Sequence, residues 1–522
     1  MNRHTSTPRD DQKIIDLQKR VEAKVGEERE LYGTEAGLTC DISSQDIIDA
    51  LKANEDGDAW LFREINRHRL CYDHSRRLWH IWNKHYWKED DVGNALAEIE
   101  SVVDIYADEA SRQAQFKIDA TKNGDNDSAN KSEQIEKELL SRIHMLQTLR
   151  RKKNILTLAS SGYHSLGISG DQWDSDPFLV GCNNAVIDLR TGQARPGNSS
   201  DYIKTVAPTD WQGIDAKAPV FQQFLKDVFN DEMDLITFIQ RLFGFACSGL
   251  SNEHIFPILW GGGRNGKGTL FETIREVTGA LSGPIQSEML LKQTFTRSSA
   301  GPSPDIMSLH GKRIVWANET DEGRKLNVSK VKWLAGEDTL VGRHVQGKKE
   351  IRFKPTHTLF LQTNHKPRIP ADDQAIWQRV LLIPFNMSFV DDPKKANERK
   401  RDPYMRQKLV SEAPGILAWL VKGFIEYYNY GLNPPELVKA NTEKYREDED
   451  VLGQFISERC SISKSSKQQA GPLHTAYKAW CESNSYKPLG SRKFGERMVE
   501  KYDRVDEGCR YYMGIELNAT ST

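Results

Sequence analysis

The sequence predicts an α/β core, with an α+β segment before it and a winged-helix segment after it. Three observations carry that reading. Apolar runs at 255–260, 314–317, 358–361 and 380–385 have the length of buried strands and are separated by helical patterns. A glycine-rich turn, 261–268, joins the first of these runs to a helix-patterned stretch at 270–277. Upstream, aromatic and aliphatic residues crowd 60–87, and residues 78–82 (Leu-Trp-His-Ile-Trp) alternate as strands do.

The glycine-rich turn is the best-defined motif. Gly261, four residues, Gly266 and Lys267 match the phosphate-binding loop. In that motif backbone N–H groups wrap nucleotide phosphates and the lysine reaches the outer ones. Glycines are required because a Cβ would hold the backbone off the phosphates, and because the turn uses positive φ. A following helix adds the positive end of its dipole. The nucleotide-binding set is therefore Gly261, Gly262, Gly263, Arg264, Asn265, Gly266, Lys267, Gly268 and Thr269. One position departs from the pattern. The hydroxyl residue that ligates Mg²⁺ normally follows the lysine, but Gly268 stands there and Thr269 comes next. Thr269 or a water takes that role.

At 522 residues the chain is long enough for two to four domains. Its 38% hydrophobic and 28% charged residues are ordinary for a globular protein. A net charge of −2 supplies no global attraction to polyanions, so any nucleic-acid contact comes from local patches. The seven cysteines are scattered and contain no CxxC pair, which fits a reducing cytoplasm rather than a disulfide framework. No apolar run follows the N-terminus and none reaches the length of a membrane span, so neither a secretory signal nor a membrane is expected.

Four segments are expected: a helical arm at 1–54, an α+β domain at 55–215, an ATPase domain at 216–432 and a winged-helix domain at 437–522. In the second, helices are expected over 92–116 and 132–149, with a loop at 122–128 between them. Cys71, His74, His80 and His85 match no standard zinc spacing and read as residues of aromatic strands. Asp56 with Asp58, and Asp174 with Asp176, read as turn aspartates rather than paired metal ligands. A strand, an asparagine turn and a second strand fit 178–192. Residues 221–247 are strongly helical.

Past the glycine-rich turn, the run at 314–317 ends in Asn318, Glu319, Thr320 and Asp321. A carboxylate at such a strand tip holds Mg²⁺ or polarises the attacking water. Glu319 is the first choice for that role, with Asp321 assisting. Residues 339–345 and 350–354 form a hairpin whose basic residues Arg343, Lys348 and Lys349 suit nucleic-acid phosphates. Asn364, closing the next strand, is placed to orient a lytic water. Arg379, ahead of the last apolar run, is placed to act as an arginine finger in a neighbouring subunit's site. The tail reads as three short helices and a strand. Its third helix carries Arg492, Lys493, Arg497 and Lys501, as a DNA-reading helix would.

Together these residues resemble the superfamily 3 helicases, specifically the primase-helicases of satellite phages, prophages and poxviruses. The resemblance rests on 261–269, the strand ending at Glu319, Lys332 with 334–338 and Arg343, Asn364, and 377–385. It implies a modified AAA+ ATPase that assembles as a ring, commonly a hexamer, around single-stranded or forked DNA. Such a ring would use ATP and Mg²⁺ to move 3′ to 5′. Lys267, Glu319 and Asn364 would come from one subunit and Arg379 from the next. Too few residues precede the tryptophan-rich segment for a primase-polymerase domain, so a helicase acting alone, or with a separate primase or initiator, is expected. Two other classes stay open. One is an ATP-switched initiator or loader that does not unwind; the other is a phosphate-loop enzyme acting on a small molecule or RNA.

Overall fold

The computed structural model describes residues 42–293, 302–318, 323–343, 345, 350–484 and 486–518. The chain forms two compact units, Met1–Ile187 with Ala194–Val206, and Asp188–Gln193 with Ala207–Thr522. No helix among the described residues is long and apolar enough to cross a membrane.

In the first unit, helices α1 (Ser44–Lys52) and α2 (Asn54–Asn66) precede an antiparallel meander of β1 (Leu70–Asp73), β2 (Leu78–Asn83) and β3 (Tyr86–Glu89). The long helices α3 (Glu100–Lys122) and α4 (Asn126–Leu146) form a hairpin, followed by α5 (Leu149–Ala159). The loop expected at 122–128 is only a tight turn. Gly124 adopts φ +76°, and the Asp125 carboxylate caps α4 by accepting the Ser128 N–H at 3.1 Å. β4 (Gly167–Ile168) adds to the meander in parallel with β1. β5 (Leu179–Cys182) and β6 (Val186–Asp188) make the expected strand–turn–strand, in which the Cys182 N–H donates to the Ala185 carbonyl.

Asp56 and Asp58 lie in α2, not in a turn. Gly57 allows this, because a Cβ there would lie 1.9 Å from the Ala50 carbonyl oxygen of α1. Asp58 is fully buried. Its Oδ1 accepts from Arg142 (2.7 Å) and the Tyr106 hydroxyl (2.8 Å), and its Oδ2 accepts from Arg151 (2.6 Å). The basic run at 150–153 therefore contributes one arginine to the interior. Asp174 does occupy a turn, at φ +50°, and accepts the N–H groups of Lys204 and Thr205. The zinc alternative gains nothing. His74 Nε2 bonds the Ser160 carbonyl, His85 Nδ1 accepts the Gly197 N–H, and His80 is buried against Trp173. No described group of three or more such side chains is arranged to hold a metal.

The second unit is built on a five-stranded parallel sheet: β7 (Phe256–Trp260), β8 (Ser282–Ile285), β9 (Ile314–Asn318), β12 (Thr358–Thr363) and β13 (Val380–Pro384). The spatial order is β8-β9-β12-β7-β13, so the first strand in sequence lies between the last two. Strands buried on both faces explain the unbroken apolar runs. Between β9 and β12 the chain makes α9 (Val328–Leu334) and the hairpin β10 (Leu340–Gly342) with β11 (Ile351–Phe353), paired Leu340 to Phe353 as expected.

The helical stretch before the sheet splits into α6 (Pro219–Phe229) and α7 (Met233–Cys247), because Asn230 and Asp231 both take positive φ. α7 packs on α11 (Ala413–Tyr430) at close range. A Cβ on Gly244 would sit 2.2 Å from Gly423 backbone. Beyond α11 come α12 (Glu436–Glu449), α13 (Val451–Arg459), β14 (Cys460–Gln469), α14 (Ala470–Ser483), α15 (Ser491–Lys501), β15 (Arg504–Glu507) and β16 (Cys509–Leu517). The last three strands form a sheet of order β14-β16-β15. The three tail helices and the last strand appear where the sequence places them, while α12, β14 and β15 are additional.

Two stability predictions follow from buried polar groups. Asp58→Ala leaves the buried Arg142 without its anion and Arg151 with Glu55 alone, and should cost about 3–5 kcal/mol, read as a lower urea midpoint. His357, immediately before β12, is buried, and desolvation lowers its pKa from 6.5 to about 4. The folded state then binds fewer protons than the unfolded one. Its contribution is complete above pH 6.5 and falls as pH drops towards 4. His357→Leu should flatten that acid limb of a stability–pH curve.

A candidate nucleotide site at the strand ends

The glycine-rich turn lies at the C-terminal edge of the sheet, beyond the interior strand β7, where ligands bind in open parallel sheets. Neighbouring strand ends pin the start of the turn. The Gly261 N–H donates to the Thr363 carbonyl at 3.3 Å, and the Phe385 N–H donates to the Trp260 carbonyl at 2.7 Å. A Cβ on Gly261 would stand 2.2 Å from the Phe385 oxygen, so the position accepts only glycine. Arg264 (φ +60°) and Gly266 (φ +89°) turn the chain back into α8 (Lys267–Thr278). Gly266 also packs against α6, where a Cβ would meet Val228 Cγ2 at 2.7 Å. On the outer side, a Cβ at Gly262, Gly263 or Gly268 would meet nothing within 4 Å. The turn thus has one fixed face and one open face.

Lys267 is the first residue of α8 and is buried. Its ammonium donates to the Gly261 carbonyl at 2.6 Å and to Asn364 Oδ1 at 3.1 Å. Two residues chosen from separate motifs are therefore in contact. Asn265, also buried, points inward and donates to the Phe385 carbonyl at 3.4 Å. No side chain caps the N-terminus of α8. The Lys267 N–H donates to Asn265 Oδ1 at 3.5 Å, and the positive end of the α8 dipole lies at the turn, an arrangement suited to phosphate.

β9 ends at the same edge. Asn318 accepts a hydrogen bond from Gln362 of β12, a partner that the sequence reading missed. Glu319 and Asp321, the predicted carboxylates, lie outside the described residues, as do Lys348 and Lys349 of the hairpin tip. Thr269 is half-buried in the first turn of α8, next to the open Gly268. Arg343 emerges from β10, and its backbone exchanges hydrogen bonds with Ser303.

Arg379 stands at the opposite edge of the sheet. Its carbonyl accepts the N–H of Phe256, the first residue of β7. Traversing that strand takes roughly 13 Å, so the guanidinium is remote from its own chain's turn. It donates to the Ala375 carbonyl at 2.7 Å, and its Nε is buried without a hydrogen-bond partner among the described residues. Lys332 pairs with Asp373 (3.1 Å), and Asp373 caps α10 (Gln374–Trp377), the single turn leading to Arg379.

The tail's basic residues divide. Arg492 pairs with Glu496 along α15 and, like Lys493, is exposed. Arg497, expected to contact DNA, instead pairs with Asp372 at 2.7 Å. Lys501 pairs with Asp450 at 3.1 Å. A cavity of about 300 Å³ also adjoins the turn through Val228, lined in part by Phe229, Leu235, Pro384 and Met387.

A family model described as "D5 N terminal like" matches residues 59–230, and one described as "Poxvirus D5 protein-like" matches 447–505. A family of unknown function matches 259–379. Two separate stretches of the chain thus resemble D5-like proteins. Among its relatives, "Putative helicase L207/L206" of Acanthamoeba polyphaga mimivirus is 27% identical over 436 residues, covering 79% of this chain and 44% of that protein. "Putative helicase 022R" of Frog virus 3 is 24% identical, covering 60% and 40%. "Putative primase C962R" of African swine fever virus is 23% identical, covering 65% and 38%. The chain thus spans roughly two-fifths of the length of these curated relatives. Among solved structures, the A-form apo C-terminal region of NrS-1 is similar over 60% of this chain and 80% of its own, at 14% identity and a TM-score of 0.40.

The tight approach at Gly261 yields a prediction. Gly261→Ala forces the Phe385 carbonyl aside, and should weaken nucleotide binding at least about tenfold while the chain stays folded. Titration with a fluorescent nucleotide analogue, alongside a thermal melt, measures both.

Proposed function

We propose that this chain is the motor part of a replicative DNA helicase: an ATPase of the superfamily 3, modified AAA+ type that encircles one DNA strand. The observation that carries the reading is the contact of Lys267 with Asn364 at the mouth of a glycine-rich turn. In this reading the turn's N–H groups and the α8 N-terminus receive the phosphates. Lys267 leaves the Gly261 carbonyl for the β- and γ-phosphates, and Asn364 is released to orient the attacking water. The cavity beside Val228, with apolar walls at Phe229, Leu235 and Met387 and polar ones at Asn230 and Asn386, is proposed to take the base.

Mg²⁺ bound with the nucleotide would neutralise charge on the β- and γ-phosphates. The open space at Gly268 leaves room for it, and Thr269, Glu319 and Asp321 are the side chains proposed to hold it. The position of Arg379, an edge away from its own turn and with an Nε unpartnered among the described residues, suits a group that completes a neighbour's site. A ring follows from such head-to-tail contacts when the rotation closes, and a hexamer is the form we propose. The hairpin residues Arg343, Lys348 and Lys349 would meet the strand inside the ring. Arg492 and Lys493, exposed on α15, would meet duplex or forked DNA. Movement is proposed 3′ to 5′, in the cytoplasm, for a virus, phage or other mobile element, with a primase on the same or another chain.

Lys267→Ala should lower ATP hydrolysis by a factor on the order of 10² or more and abolish unwinding of a forked duplex. Steady-state phosphate release and strand displacement, with electron microscopy of the chain on forked DNA with an ATP analogue, are the tests. Undiminished hydrolysis in that variant overturns the nucleotide site. Hydrolysis without strand displacement turns the assignment towards an initiator or loader.

A further inference from the structure

The loop between Asn364 and Arg379 joins two groups assigned to the same reaction, and it is held mainly by elements that follow the sheet, with Lys332 of α9 joining them at Asp373. α12 grips its first half. The Tyr445 hydroxyl donates to the Pro367 carbonyl, and Lys366 pairs with Asp448 at 3.4 Å. Glu449 pairs with Arg368 and also accepts the Ile369 N–H at 3.2 Å. Arg446 donates to the Ala371 carbonyl at 3.4 Å. The next two residues are acidic. Asp373 takes Lys332 and caps α10; Asp372 takes Arg497.

Arg497 is well placed to transmit force. Phe494 and Met498, on either side of it in α15, are buried in the tail's own core, so the helix cannot slide independently of that module. Lys501, one turn further along the same face, is tied to Asp450 at the start of α13. The Arg497 and Lys501 edge of α15 therefore faces the chain itself, while Arg492 and Lys493 project from the helix's other end.

We propose that Arg497 is a positioning residue for Arg379 rather than a DNA contact. Through Asp372 it couples the C-terminal module to the short turn that carries the arginine finger. This rests on the reading of Arg379 as the group that completes a neighbour's nucleotide site. A movement of the tail on DNA would then reach the hydrolytic centre through one ion pair. Because both partners are partly exposed, the pair adds little to global stability; its effect lies in where the loop is held.

The test compares the full chain with Arg497→Ala, Asp372→Ala, Arg497→Lys, and the charge swap Arg497→Asp with Asp372→Arg. Steady-state ATP hydrolysis on single-stranded DNA, DNA affinity by anisotropy, thermal melting, and hydrogen exchange over 366–378 are measured for each. Both alanine variants should lower kcat about three- to tenfold, with KM for ATP, DNA affinity and melting temperature nearly unchanged. Exchange over the loop should quicken. The lysine variant and the charge swap should each recover most of kcat, which loss of general packing would not allow. A charge swap no better than the single variants overturns the proposal. So does Arg497→Ala that weakens DNA binding at unchanged kcat, which would restore the DNA-contact reading. If the unaltered chain hydrolyses no ATP, the nucleotide reading itself fails. Loop exchange indifferent to Arg497→Ala defeats only the positioning link.

Discussion

The Lys267 ammonium ties three parts of the sheet's edge to one point. It bonds the carbonyl that begins the turn and the amide that ends β12, from the first residue of α8. A buried cation needs partners, and here both are groups that a bound phosphate could displace or share. The remaining features can be understood as devices that keep this meeting point in register. Gly261 must lack a Cβ so that the chain passes the Phe385 carbonyl. Arg264 and Gly266 must take positive φ so that Lys267 starts a helix directly beneath the turn.

The sheet order gives this edge its chemical composition. Because β7 lies between β12 and β13, the glycine-rich turn is flanked by strands from much later in the chain. Asn364 is brought to the lysine across 97 residues. The same parallel arrangement sends Arg379 to the far edge, since a residue that begins one strand cannot neighbour the residue that ends the next. The proposed division of labour between adjacent subunits would use that separation. The loop from Lys366 to Asp373 crosses from one edge to the other, and α12 and α15 hold it along the way.

Much of the site was legible from residue order alone. Glycine and lysine spacing, apolar strands and a closing asparagine are local signatures, because each depends on backbone conformation or burial within a few residues. Partners in ion pairs are not of that kind. Arg497 on a basic helix reads as a phosphate contact until its neighbour is known, and Asp372 lies 125 residues away in sequence. Asp58, next to a glycine, looks like a turn residue, but close helix packing at Gly57 places it in the interior with two arginines. α12 was missed although Val438, Thr442 and Tyr445 form a helical stripe, because its exposed face is almost wholly charged.

The amino-acid order by itself determined the elements: parallel strands, the phosphate-type turn, the hairpin and the three tail helices, each specified by short-range sterics and the period of its apolar residues. Tertiary structure alone decided which side chains meet. Ion pairs and hydrogen bonds are selected by distance after packing, and a charge carries no mark of the partner that folding will bring beside it.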